Sequence, residues 1–310
     1  MEELCKDMRR YNNLIKKIKK DYDKKLKSLF ISEPDSVLAY LWYKRIFKTN
    51  ISNERRNQII AEARKEFNVN GLSNNEFISY LIEKQEKVKD LLQEFKTLFV
   101  KQLVDNQTTL THVTSLSPKE LGFVLKPHLA ETIYNESIGN YVFATLEEVN
   151  KLCYAVRTST GGMFNVGENM IVFPTKNNIE IKDGRLLLKK PIYSYSLDAK
   201  NFEPVITVRM DYLKSGKQPS IVFDDEWVSS EEININNAVC LKIEDVTDLL
   251  DYFKIFVYND NNFEQNCKSA YNLTTKTKRD VKELLINLLK NKKITYINAE
   301  LKQNLEVIKK

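Results

Sequence analysis

The hydrophobic spacing of this chain changes between Asp105 and Thr109, and that change limits the folds open to it. From residue 3 to residue 104, apolar side chains recur every three or four positions, the period of an amphipathic helix. From Leu110 onward they come in short β-branched and aromatic runs separated by turn residues. A helical section followed by many short strands and few helices reads as α+β, with a strongly twisted or split sheet. It does not read as a regular β-α-β alternation.

The helical section opens with residues 3–30. Leu4, Met8, Tyr11, Ile15, Ile18, Tyr22, Leu26 and Leu29 form one stripe, and lysines and arginines occupy the other faces. So narrow a stripe asks for a partner helix, as in a coiled coil. Val37–Phe47, with Trp42, Tyr40 and Tyr43, reads as a buried helix. Ser52–Phe67 reads as another, ended by Asn68-Val-Asn-Gly71. Ser73-Asn-Asn-Glu76 has capping-box spacing and opens a helix to about Val104, with Phe77, Leu81, Val88, Leu91, Phe95 and Leu98 on its apolar face. No chemistry-bearing pattern falls in this section.

Leu110–Leu116 reads as a strand, followed by a one-turn helix opener at Ser117-Pro118-Lys119-Glu120. Residues 140–144 form a second strand. Thr145-Leu-Glu-Glu148 has capping-box spacing, which predicts Thr145 as the cap of a helix over 146–156. A polar loop is expected at Arg157–Gly162. Strand-like runs follow at 170–173, 179–181, 185–188, 192–196, 205–209, 220–223 and 226–228, with Asp183-Gly184 as a hairpin turn. Ser229-Ser-Glu-Glu232 reads as a further cap, 238–243 as a strand and 246–253 as a helix. Val281, Leu284, Leu285, Leu288 and Leu289 form a leucine-rich face among lysines. The expected division is a helical bundle at 1–105, an α+β domain at 106–261 and a basic helical segment at 262–310.

Charge follows the same division. Residues 1–105 hold 22 basic and 16 acidic side chains, a net +6. Residues 106–261 hold 15 and 21, a net −6, and residues 262–310 hold 11 and 5, again +6. The basic ends suit an acidic partner or nucleic acid. A solvated helix face is the reading favoured over both, and nucleic acid is not favoured, because no aromatics interleave with the lysines in sequence. The helical stretches 3–30, 76–104 and 280–310 are the candidate surfaces for a protein partner or for self-association. Four cysteines without Cys-x-x-Cys spacing and two histidines exclude a zinc cluster, so no metal is expected. No run reaches the ~18 apolar residues of a membrane span. The charged start Met1-Glu-Glu-Leu-Cys-Lys is not a signal peptide, which gives a cytoplasmic expectation.

Two strands carry the candidate chemistry. One ends in His112-Val113-Thr114-Ser115 and the other in Tyr141-Val142-Phe143-Ala144, with Tyr154 on the helix that follows. A later strand carries Glu226-Trp227-Val228-Ser229. Read from the residues alone, His112 serves equally as a structural histidine, Phe143 and Tyr154 as core, and Glu226 as part of a solvated acidic turn.

With these motifs, residues 108–235 resemble the ADP-ribosyltransferase superfamily, in its diphtheria-toxin-like and PARP-like branch that includes the rifamycin-modifying transferases. Val113 stands where that branch usually has glycine, and Val142 where it has tyrosine. The resemblance implies a split, twisted β core with NAD as substrate. It implies His112 and Thr114 at the ribose, Tyr141, Phe143 and Tyr154 around the nicotinamide, and Glu226 as the catalytic carboxylate, with Glu203 in Phe202-Glu203-Pro204 as its competitor. Two functions follow: an NAD-dependent ADP-ribosyltransferase of the bacterial toxin or effector kind, or a catalytically inactive relative serving as a structural or interaction protein, such as a phage virion component.

Overall fold

The computed structural model describes residues 2–47, 51–69, 71–105, 108–131, 137–173, 178–213, 216–259, 262 and 278–298. Four helices come first: α1 (Glu2–Ser32), α2 (Pro34–Ile46), α3 (Asn53–Phe67) and α4 (Asn74–Asp105). Short elements follow: β1 (Thr109–Thr114), α5 (Pro118–Leu121), β2 (Val124–Leu125), β3 (His128–Glu131), β4 (Ser137–Ala144), α6 (Glu148–Thr160), β5 (Met163–Val166) and β6 (Asn169–Val172). The rest are β7 (Ile179–Lys182), β8 (Arg185–Asp198), β9 (Glu203–Leu213), β10 (Gly216–Ser229), β11 (Ile233–Asn234), β12 (Cys240–Asp245), β13 (Lys254–Tyr258), α7 (Lys278–Lys290) and β14 (Ile294–Tyr296). The architecture is α+β, with helices first, mixed sheets in the middle and a helix near the end.

The chain contacts divide it into two compact units. The first holds residues 1–108, 127–141 and 198–231, and the second holds 109–126, 142–197 and 232–310. These cuts differ from 1–105, 106–261 and 262–310. The reason is that the helical section recruits strands from late in the chain. Tyr22, Leu26, Val37, Tyr40, Val88 and Phe95 share one core with Ile206, Val208 and Ile221 of β9 and β10. The stripe on α1 therefore faces a sheet as well as helices, and α1 does not stand as a free coiled-coil strand there.

In the first unit the sheet runs β3-β4-β10-β9. Helix α1 runs antiparallel to α4. The Tyr22 hydroxyl donates to Glu94 at 2.7 Å, Lys25 meets the same carboxylate at 2.9 Å, and Glu33 meets Lys87. Asp23 also accepts the backbone N–H of Ile221 at 2.7 Å, a strand donor satisfied by a helix carboxylate. Asp23→Ala orphans that donor, and a loss of about 1–3 kcal/mol is expected in urea unfolding. A second cluster, with Ala39, Ile46, Ile59, Ile60, Phe77 and Leu81, joins α2, α3 and α4.

Gln85 interrupts the buried face of α4 between Leu81 and Val88. It is 1% exposed, and both of its amide atoms lack a hydrogen-bond partner. An unmet buried amide costs more than it contributes. Gln85→Leu should therefore stabilise the protein by about 1–3 kcal/mol, read as a higher urea midpoint at constant slope.

In the second unit, one sheet runs β1-β8-β12 with β7 also on β8, another runs β14-β13-β6-β5, and β11 pairs with β2. Leu152, Ala155 and Val156 of α6 pack with Met170, Val172, Leu186, Leu188, Ile192, Ile243 and Ile255. Because β14 pairs with β13, residues 294–296 join this unit's sheet, so the described part of the chain after 278 is more than a helix.

Several local expectations hold. Ser73 and Glu76 form both halves of their capping box, and Asp183-Gly184 turns a hairpin with both residues left-handed. Others need correction. Asn68 (φ 51°), and not Gly71, closes α3. The N-cap of α6 is Glu147 and not Thr145, whose backbone pairs with Thr111 three residues before the helix starts. The expected loop at 157–162 is helical through Thr160, and Gly161 (φ 86°) ends it. The runs 185–188 and 192–196 are one strand, β8, running through Pro191. Glu231 and Glu232 cap no helix, since β11 follows, and 246–253 holds only a 3-10 turn at Thr247–Asp251.

Candidate functional site

Strand β1 alternates faces. Leu110 and His112 are buried on one side, while Val113 packs against the core of the second unit on the other. The strand is held beside the end of β4 by a reciprocal backbone pair. Thr111 N–H donates to Thr145 at 2.7 Å, and Thr145 N–H donates back at 2.9 Å. This brings His112 onto Phe143, whose carbonyl lies 2.6 Å from the ring Nδ1. A carbonyl only accepts, so Nδ1 carries the proton, and a neutral ring then has Nε2 as its acceptor atom. His112 is 8% exposed. His112 and the Phe143 segment thus meet in the second unit.

Tyr154 lies half-buried on α6, the helix that packs on β1. Thr114 is half-buried, and its hydroxyl accepts the Leu116 N–H at 3.3 Å, closing the turn after β1. The remaining two predicted residues belong to the first unit. Tyr141 is half-buried on β4, opposite the exposed His128 of β3. Glu226 is half-buried on β10.

Glu226 sits in a bulge. Phe223 pairs with Ile206, but the next pair is Trp227 with Pro204, so β10 carries two extra residues there. Asp225 in the bulge is buried and left-handed (φ 53°). Its carboxylate accepts the Trp227 indole N–H at 3.1 Å. Trp227 is wholly buried, stacked on Phe99 at 5.4 Å between centroids and edge-on to Phe223 at 5.6 Å. A bulge of this kind re-aims the side chains it contains. The competing carboxylate, Glu203, pairs directly with Val228 and lies on the same stretch of ladder. It is largely exposed, at 4.0 Å from Lys96, an ion-pair role.

Sequence reasoning missed Asp225 and the Thr111–Thr145 pair. No local pattern announces either one: an Asp two residues before a Trp is common, and a backbone bridge carries no side-chain signature.

Among the described residues, no group of three or more His, Cys, Asp and Glu is placed to hold a metal ion, and no helix is long and apolar enough to cross a membrane. Cys153 is buried, and burial pushes its thiol up to about 11. It should resist iodoacetamide at neutral pH until the protein unfolds, while the half-buried Cys240 reacts before it, as read by peptide mass mapping. A groove of about 510 Å³ lies between α1 and α4, lined by Tyr22, Asp90, Glu94, Thr97 and Lys101, and holds none of the predicted site residues. No family model, no curated protein and no solved structure matches this chain.

Proposed function

We propose that the chain is an ADP-ribosyltransferase-like protein that takes NAD as substrate and passes its ADP-ribosyl group to an acceptor. The observation that supports this most is the His112–Phe143 link. It fixes the imidazole so that Nε2 is the acceptor atom, which suits a ribose hydroxyl. Tyr154, on the helix against β1, offers an aromatic face of the kind that holds a nicotinamide ring. In this reading the bond between nicotinamide and ribose breaks, the ribosyl centre becomes cationic, and a carboxylate lowers its energy. By the motif resemblance that carboxylate is Glu226, on β10 of the first unit. Aromatic Trp227 beside it fixes the strand, and Asp225 fixes Trp227.

Nicotinamide release tests the reading. Purified protein incubated with nicotinamide-labelled NAD should liberate free nicotinamide, and faster when an acceptor is present. Folded protein that leaves NAD intact with a panel of protein, nucleic-acid and small-molecule acceptors would falsify the catalytic form.

The burial of His112 favours a second reading. A histidine 8% exposed whose Nδ1 is spent on a backbone carbonyl already has a structural role. In that case the chain keeps the scaffold without the chemistry and acts as a structural or interaction protein, the helices α1, α4 and α7 supplying the surfaces. A protein that neither releases nicotinamide nor shifts its melting point with NAD fits this second reading.

A further inference from the structure

We propose a phosphate-binding strip on the helical unit, formed by Lys44 of α2 with Lys89 and Lys96 of α4. It is separate from the residues assigned to NAD chemistry.

The two helices run side by side in the same direction. Asp35 reaches Tyr80, and Lys89 lies over the Tyr43 ring at 5.8 Å, so positions on α2 meet those about 45 further on in α4. Lys89 and Lys96 are two turns apart on one face of α4, roughly 10 Å along the axis. Lys44 stands on the facing helix, with its ammonium 5.9 Å from the Tyr40 ring. The charges of Lys96 and Lys89 both reach it, and burial together with that repulsion holds Lys44 below the ordinary lysine range.

The neighbouring cations are answered by acids. Arg45 meets Glu62 at 3.4 Å, Lys89 meets Glu86 at 2.8 Å, Lys25 meets Glu94 at 2.9 Å, and Lys87 meets Glu33. Lys96 has Glu203 only at 4.0 Å, the outer limit of an ion pair. Lys44 has a ring and two like charges, and no carboxylate among the described residues. Against the three ammonium groups stand Glu86, paired with Lys89, and Glu203 at the edge of reach of Lys96, so the positive charge left over falls at Lys44 and Lys96. An anion placed between them relieves the repulsion and regains charge-assisted hydrogen bonds. A peptide carboxylate brings one charge to one point. A diphosphate or a phosphodiester chain brings several charges along a line, and so matches a strip about 10 Å long. Lys44 is exposed at its outer face, as access for such a ligand requires.

The test is a titration at constant ionic strength, followed by intrinsic fluorescence or calorimetry, with inorganic pyrophosphate in one arm and a short oligothymidylate in the other. Saturable binding is expected in at least one arm. Binding only to pyrophosphate identifies a small diphosphate ligand, and tighter binding to the oligonucleotide identifies a nucleic-acid backbone. Lys44→Met keeps the alkyl stem and should weaken binding about fivefold. Lys96→Met should do the same, while Lys24→Met on exposed α1 should leave it unchanged. No saturable binding in either arm overturns the proposal, as does equal binding by the Lys44→Met and wild-type proteins.

Discussion

Trp227→Ala should cost the protein about 3–5 kcal/mol, enough to remove much of the stability of an ordinary domain. The side chain is wholly buried in a three-ring cluster with Phe99 of α4 and Phe223 of β10, stacked on the first and edge-on to the second. Truncation leaves a large cavity between helix and sheet that rigid neighbours fill only in part. It also strips Asp225 of the indole N–H it accepts, leaving a buried carboxylate one partner short. The loss is read as a fall in the urea midpoint, with Trp227→Phe recovering part of it. A variant within 1 kcal/mol of wild type would mean that the first unit's core does not depend on this contact.

The residue before it should behave in the opposite way. Glu226→Gln is expected to lower nicotinamide release by about 10²–10³-fold while leaving the unfolding midpoint nearly unchanged. Removing one group that stabilises developing charge typically costs that much in rate. The amide keeps the volume of the carboxylate, so packing in the bulge survives. A parallel Glu203→Gln variant separates the two carboxylates of this ladder. Glu203 is the more exposed and lies near Lys96, and its replacement should leave release within about twofold, the size of a surface effect. If Glu203→Gln abolishes release and Glu226→Gln does not, the assignment is reversed.

How much of this was legible in the sequence depended on whether the cause was local. The helices were, because a 3.6-residue period and capping residues such as Ser73 act within one turn. The Asp183-Gly184 hairpin was, for the same reason. What escaped was decided at a distance. Thr145 has capping-box spacing, yet its backbone is taken by Thr111, 34 residues earlier in the chain. The runs 185–188 and 192–196 read as two strands, but they are one, β8, which passes through Pro191 because β12 and β7 hold its other positions. The stripe of α1 was visible, but its cover, Ile206 and Ile221 among others, lies some 180 residues downstream. At the candidate site, the order of His112, Phe143 and Glu226 was readable as a motif. The hydrogen bond that sets the tautomer of His112 was not, because it ends on a backbone carbonyl, which any residue supplies.

The central claim is that NAD lies against β1, the end of β4 and α6. Hydrogen–deuterium exchange with and without saturating NAD tests it most directly. Amides of residues 109–114 and 148–160 should exchange more slowly with NAD present, while those of α3 stay as they are. Unchanged exchange in both segments, in protein that is folded by the same measurement, would contradict it.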